Sequence, residues 1–360
     1  MAANKTTVRV IVLGCGNMGA SHARAYHALP GFELAALVAP GSTRRSPLAR
    51  ELGGVAEFDS FDAALDTVPA EAVAVCTWPD SHYSLIKQAL LHGLHVFAEK
   101  PLAETVAEAE ELVALAGEKN RKLVVGYILR HHPAWERFIQ LARTLGKPLV
   151  MRMNLNQQSR AGEWQTHKQL MQSMSPIVDC GVHYVDVMCQ MTRSKPVRVQ
   201  AIGARLSGEI AESMYNYGQL QVVFADGSVG WYEAGWGPMM SETAYFVKDV
   251  IGPKGSVSII EPGTDAGTDS ADIDAHTRTS ALRVHHADLN AAGDFMHRDE
   301  VIDMQDEPGH QDLCNREQQF FLRAIRDDLD LRDHLEDAVN SLRIVLAADE
   351  SVRTGRVVVL

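Results

Sequence analysis

Long apolar runs, paired cysteines and an excess of basic residues are all missing from this chain, and each absence closes a class of function. No stretch approaches the roughly 20 consecutive apolar residues that a membrane-spanning helix needs, so no membrane partner is expected. The first residues lack a basic region followed by an apolar core, so no signal peptide is expected. The five cysteines (Cys15, Cys76, Cys180, Cys189 and Cys314) are scattered, without a C-x-x-C pair or zinc-ligand spacing. Reduced thiols, a cytoplasmic protein and no metal are the expectation. A formal net charge of −12 argues against a nucleic-acid partner, which would ask for a basic face. No internal repeat is present, and 360 residues suit two domains better than one core.

What is present begins with the run Val8 to Leu13, short, apolar and biased to β-branched residues, which reads as a buried strand. It enters Gly14-Cys15-Gly16-Asn17-Met18-Gly19, a G-x-G-x-x-G; a helical pattern from Ala20 to Leu29 and a second β-rich run from Glu33 to Ala39 follow. The order strand, glycine turn, helix, strand is the context in which this motif holds a dinucleotide. Gly14 permits the tight turn, Gly16 lets backbone approach a pyrophosphate, and Gly19 lets helix pack on strand. The phosphates would meet the unpaired N–H groups of the helix N-terminus. The alternative is a glycine-rich turn with no ligand.

Strands and helices keep alternating as far as Lys122–Ile128, which predicts a parallel, doubly wound sheet over residues 1–129. Ser46 and Ser60 read as helix N-caps, with Pro47 at the first helical position. The pattern then changes. Pro133 opens a helix, and long β-rich runs follow with few helices between them. Asp226-Gly227 and Gly252-Pro253-Lys254-Gly255 are hairpin turns, and Arg356–Leu360 reads as an edge strand. Residues 130–360 are therefore expected to form an α+β domain with a large, mostly antiparallel open sheet, the C-terminal helix packing back on the first domain. Gly263–Ser280 reads as a polar surface loop, and the histidines from His276 to His297 as a solvated, loosely ordered stretch rather than metal ligands.

Two further clusters carry chemistry. Glu99-Lys100-Pro101 stands at the carboxyl end of a predicted parallel strand, where open α/β sheets place ligands. Lys100 there can hydrogen-bond a substrate hydroxyl; by itself the tripeptide reads better as an ordinary exposed lysine before a proline turn. In Asp179-Cys180-Gly181-Val182-His183-Tyr184-Val185-Asp186, Asp179 and His183 are four apart and share a helix face. A carboxylate beside an imidazole fixes its tautomer and supports the cation that forms on proton uptake. A helix cap and an interior histidine would look the same.

Taken together, these pieces resemble the Gfo/Idh/MocA (glucose–fructose oxidoreductase / inositol dehydrogenase / rhizopine catabolism protein) family. The resemblance runs from Gly14–Gly19 through Pro79–His82 and His92–Pro101 to Asp179–Asp186, in order and over essentially the whole chain. It implies an N-terminal Rossmann domain and a C-terminal domain whose open sheet forms homodimers or homotetramers. It also implies an NAD(P)-dependent oxidoreductase acting on a secondary alcohol or ketone of a sugar, cyclitol or sugar derivative, with Lys100, Asp179 and His183 as the catalytic group. The cofactor residues expected are Gly14, Gly16, Asn17, Met18, Gly19, Ala39, Ser42, Arg44, Arg45, Thr77, Pro79, His82, Glu99 and Lys100. Asn154, Arg160, Trp164 and His167 are expected to line the substrate pocket with Lys100, Asp179 and His183.

One departure bears on the nucleotide. An NAD site asks for an acid at the end of the second strand, and Val38-Ala39-Pro40-Gly41-Ser42-Thr43-Arg44-Arg45 has none. Ser42, Thr43, Arg44 or Arg45 could instead hold a 2′-phosphate, so NADP is favoured over NAD. Two rivals to a simple dehydrogenase remain: a redox-assisted glycosidase with tightly held NAD⁺, and a non-catalytic nucleotide or sugar sensor.

Overall fold

The computed structural model describes residues 7–241, 247–260, 279–304 and 307–360. The chain forms two compact units, one running up to Ile128 and including His310–Val339, the other comprising Leu129–Gly309 and Asn340–Leu360.

In the first unit, β1 (Val8–Leu13), α1 (Asn17–Ala28), β2 (Phe32–Val38), α2 (Arg45–Glu51), β3 (Ala56–Phe58), α3 (Phe61–Thr67), β4 (Ala72–Val75), α4 (His82–Leu91), β5 (His95–Glu99), α5 (Val106–Glu118) and β6 (Leu123–Gly126) follow one another. The six strands pair in parallel in the order β3-β2-β1-β4-β5-β6, the doubly wound arrangement expected. The order reverses between β1 and β4, so the loops after these strands, beginning at Gly14 and Cys76, open at the topological switch point. Continuous burial of β4 (Ala72, Val73, Ala74, Val75) is what a strand covered by helices on both faces requires. Local chemistry sets the helix starts: Ser60 accepts from Ala63 N–H, and Thr105 forms a capping box with Glu108. Ser46 does not cap α2 as expected. The helix starts at Arg45, and the Ser46 hydroxyl donates to Glu57 on β3.

The second unit contains α6 (Pro133–Thr144), β7 (Val150–Gln158), α7 (Ala161–Leu170), α8 (Pro176–Asp179), α9 (Gly181–Thr192), β8 (Pro196–Ala204), β9 (Tyr217–Phe224), β10 (Val229–Gly237), β11 (Lys248–Gly252), β12 (Gly255–Ile260), β13 (Ala281–His286) and β14 (Glu300–Asp303). Then come α10 (His310–Arg326), α11 (Arg332–Thr354) and β15 (Val358–Val359). Nine strands pair in the order β14-β13-β12-β11-β7-β10-β9-β8-β15, antiparallel throughout except β7 with β10. Both predicted hairpin turns are present, with Gly227 at φ +83° and Gly255 at φ +140°. The C-terminal strand is an edge strand on β8, as expected.

Two expectations need correction. Residues 279–304 are not a loosely ordered stretch: β13 and β14 extend the sheet, and the His285 ring pairs with Asp299 at 2.8 Å and packs edge-on against Phe295. Most of the polar loop, residues 261–278, lies outside the described residues. The C-terminal helices also return further than a single helix. All of α10 and the start of α11 belong to the first unit, where Phe321 joins Phe32, Tyr26 and Phe97 in the core.

Candidate active site

The glycine turn has the geometry that its sequence asks for. Gly14 sits at φ +92°, and a Cβ there would stand 2.4 Å from the Cys76 carbonyl oxygen. A Cβ on Gly19 would fall 2.0 Å from the Gly14 carbonyl oxygen, so only glycine lets α1 sit this close to the turn. Gly16 differs: a Cβ there would meet only the Arg44 guanidinium, at 3.8 Å. Two glycines close the turn and the third leaves open space above the N-terminus of α1, where Asn17 and Met18 follow with no acid in the first turn. These residues fit a diphosphate.

Around this turn several expected cofactor residues have structural tasks. Arg45 is buried. Its guanidinium donates to the Ala39 carbonyl, to the Phe58 carbonyl at 2.6 Å, to Asp59 at 2.7 Å and, through Nε, to Glu57 at 3.1 Å. It ties the end of β2 to the end of β3 and is not available to a 2′-phosphate, contrary to one of the four residues proposed for that contact. Ser42 and Arg44 are exposed on the same loop. His82 is fully buried at the start of α4; its Nδ1 donates to the Pro101 carbonyl at 2.8 Å, and its Nε2 lies 3.1 Å from the Thr77 carbonyl. Burial holds the ring below its ordinary pKa, hence neutral, so it clamps the loop after β4 to the turn after β5. Thr77 accepts from the Ser81 hydroxyl at 2.7 Å, beside Pro79 in the short 3-10 turn that precedes α4.

Glu99 ends β5 buried, and Lys100 follows it half-buried, its backbone N–H donating to Glu99 Oε2 at 3.2 Å. Below them runs a network that sequence reasoning missed. The Tyr26 hydroxyl donates to Gln318 Oε1, Gln318 Nε2 donates to His22 Nδ1 at 2.9 Å, and His22 Nε2 donates to Glu99 Oε1 at 2.7 Å. Glu317 is buried beside it, with neither carboxylate oxygen hydrogen-bonded. Burial first, and the Glu99 charge second, push its carboxyl well above the ordinary range, so it is neutral. Ligand-type atoms of His22, Cys314 and Glu317 lie within 4.8 Å of one another, but both ring nitrogens of His22 are already engaged with Glu99 and Gln318. The signal for this network was too diffuse to read, since its members come from α1, β5 and α10.

In the second unit, Asp179 closes α8 and His183 lies in the first turn of α9, both half-buried. Backbone at Cys180 stays helical (φ −89°, ψ −39°), so the chain passes from Asp179 to His183 almost as on one helix. Gly181 is required here: a Cβ would stand 2.8 Å from the Tyr232 ring, against which Tyr184 stacks at 5.1 Å. The motif's last residue, Asp186, is a structural anchor. It receives Arg130 through both oxygens, in a pair that is almost wholly buried.

The remaining pocket candidates divide. Next to Asp179, the Cys180 thiol donates to Gln157 Oε1 at 3.3 Å, the Trp236 indole donates to the same oxygen at 2.6 Å, and His167 stacks on Trp236 at 4.3 Å with rings 5° from parallel. Gln157 and Trp236 were missed by sequence reading. His167 is thereby held in a layer with Trp236. Trp164 packs with Met171, Ile210 and Trp236, its indole donating to Glu209 at 3.1 Å. Asn154 is buried within β7, where its Oδ1 accepts from the Val247 N–H at 2.8 Å, and Arg160 is exposed before α7.

With this geometry in hand, two family models match the chain. One, described as "Oxidoreductase family, NAD-binding Rossmann fold", matches residues 8–127, and the other, "GFO/IDH/MocA C-terminal domain", matches residues 139–258. Together they span well over half of the chain. The protein belongs to the Gfo/Idh/MocA oxidoreductase family. Among its relatives is a scyllo-inositol 2-dehydrogenase (NAD(+)) of Bacillus subtilis, 26% identical over 97% of this chain and 95% of that protein. A UDP-N-acetylglucosamine 3-dehydrogenase of Acidithiobacillus ferrooxidans is 31% identical over 54% of this chain, the match spanning 58% of its length. The fold is shared with myo-inositol 2-dehydrogenase from Lactobacillus plantarum, at a TM-score of 0.78, 19% identity and coverage of 99% and 100% of the two chains. Membership makes the first unit an NAD-binding Rossmann domain and the chain an oxidoreductase. Among the described residues no helix is long and apolar enough to cross a membrane.

Proposed function

We propose that the protein oxidises a secondary alcohol of a cyclitol, sugar or sugar derivative, or runs the reverse reduction, with a nicotinamide dinucleotide. The observation that carries this reading is the Asp179–His183 pair. Asp179 closes α8 and His183 lies on α9, the helix that Gly181 and Asp186 lock in place, in a chain whose other unit presents Lys100 at the carboxyl end of β5. His183 takes the proton of the substrate hydroxyl. Asp179 orients the imidazole and supports its charge, or holds a neighbouring hydroxyl. The Lys100 ammonium donates a hydrogen bond to the substrate oxygen and stabilises the negative charge that grows on it. Bound nicotinamide supplies the acceptor for the two electrons that leave the carbon. Gln157, His167 and Trp236 form a polar-aromatic layer beside Asp179 suited to a ring bearing hydroxyl groups.

For the nucleotide we propose NAD. The preference for NADP drawn from the missing acid on β2 named Ser42, Thr43, Arg44 or Arg45 as the 2′-phosphate contact, and Arg45 is spent on the backbone and on two carboxylates. Arg44 stands over Gly16, where it suits the diphosphate common to both nucleotides. We further propose a homo-oligomer built on the open sheet. Ile251, Val150 and Val229 are aligned across β11, β7 and β10 by strand register and are all exposed. A panel of inositols, sugars and sugar acids, assayed at about 340 nm with NAD⁺ and with NADP⁺, tests the activity. No turnover on any of them with either nucleotide would overturn it.

A further inference from the structure

A carboxylate is missing from the end of β2, but the sheet brings one to the same place from the neighbouring strand. β3 runs parallel to β2 with Val38 opposite Phe58, so the next residue, Asp59, emerges beside Ala39. Ala39 N–H donates to the Phe58 carbonyl at 3.2 Å, and Arg45 fastens the two strand ends from below, holding Asp59 Oδ1 at 2.7 Å. The side chain of Asp59 nonetheless remains 77% exposed. Arg45 and the backbone of Gly41 keep its carboxyl below the ordinary range, so it is an anion at neutral pH. A carboxylate has about four lone-pair sites, and Arg45 and Gly41 leave acceptor capacity facing solvent. The one buried cation at these strand ends, Arg45, is shared between two carboxylates, Glu57 and Asp59.

We infer that Asp59 is the residue that selects the nucleotide, accepting hydrogen bonds from the adenosine ribose of NAD⁺ and repelling the 2′-phosphate of NADP⁺. The acid that a dinucleotide site ordinarily takes from the second strand is supplied here by the third, positioned by Arg45. The inference rests on the reading of the glycine turn as a dinucleotide site.

Calorimetric titration of NAD⁺ and NADP⁺ into wild type, Asp59→Asn, Asp59→Ser and Glu57→Gln tests it by binding alone, without turnover. Wild type should bind NAD⁺ at least about tenfold more tightly than NADP⁺, and both Asp59 variants should narrow that ratio by about tenfold or more. Glu57→Gln removes another carboxylate partner of Arg45 and should leave the ratio within about twofold. An unchanged ratio in the Asp59 variants would overturn the inference, as would a wild-type preference for NADP⁺. An equal change in Glu57→Gln would assign the effect to the anchoring of Arg45 and overturn it too. If wild type binds neither nucleotide, the dinucleotide site itself is wrong, a failure distinct from the others. The exposure of Asp59 makes its replacements compatible with folding, and melting curves in the same buffer check this.

Discussion

At the residue scale, the proposed chemistry and the stability of the fold draw on side chains whose environments differ sharply. Lys100 and His183, the residues proposed to meet the substrate hydroxyl, are half-buried, which leaves them accessible for that role. Lys100→Ala and His183→Ala should each lower kcat by about 10²- to 10⁴-fold, while calorimetric NAD⁺ affinity stays within a few-fold of wild type. Turnover near wild type in both would remove them from the reaction. Glu317 is the opposite case, a carboxyl buried without a partner. Its folded pKa lies above the ordinary 4.5, so above that pH the folded state keeps a proton that the unfolded chain has released. This group's contribution to stability therefore falls as pH rises from the ordinary carboxyl value toward the raised one. Glu317→Gln, which mimics the neutral acid, should flatten the decline of Tm between about pH 5 and 9. Parallel Tm–pH curves for the two proteins would show that the carboxyl does not hold its proton.

At the scale of elements, close approach and buried charge decide which substitutions are tolerated. Gly19→Ala forces a methyl to within 2.0 Å of a carbonyl oxygen, so α1 must move off the turn that it closes. NAD⁺ binding should weaken by about tenfold or more and Tm should drop; calorimetry and thermal melting read the two effects. The junction at α9 depends on Arg130 and Asp186, with side-chain exposures of 8% and 1%. Asp186→Ala leaves a buried guanidinium without its carboxylate and should cost about 3–5 kcal/mol in urea unfolding. Replacing both residues with leucine should recover much of that loss. These anchors explain why a motif that reads as D-x-G-x-H-x-x-D contains three different kinds of residue. Asp179 and His183 are the pair proposed to act, Gly181 makes room for Tyr232, and Asp186 holds the helix down.

At the scale of the whole molecule, the open sheet exposes an apolar row along Ile251, Val150 and Val229, the face on which the proposed homo-oligomer rests. If the proposed oligomer forms there, Val150→Asp combined with Ile251→Asp should convert it to monomer in sedimentation at about micromolar concentration, since paired carboxylates cannot be buried in an apolar contact. An unchanged sedimentation coefficient would place the interface elsewhere. The division into units also has a consequence for truncation. Because α10 supplies Phe321 to the core around Phe97, a fragment ending near Ile128 lacks part of its own interior.

Much of this protein was legible in the sequence because its signals are local. A glycine turn between a strand and a helix, period-two runs joined by Asp226-Gly227, and the helix cap at Ser60 each act within a few residues, so spacing alone determines them. The parallel sheet, the antiparallel sheet and the place of Lys100 after β5 followed from the same patterns. The rest depends on contacts between distant segments. No spacing announces that Arg45 turns inward to bind β3, that Asp59 comes to stand beside the loop after β2, that Gln318 and Glu317 reach His22 across nearly three hundred residues, or that Trp236 lies under His167. Those relations are set by which strand pairs with which and which helix covers them, and only the tertiary structure decides the partner of a buried charge.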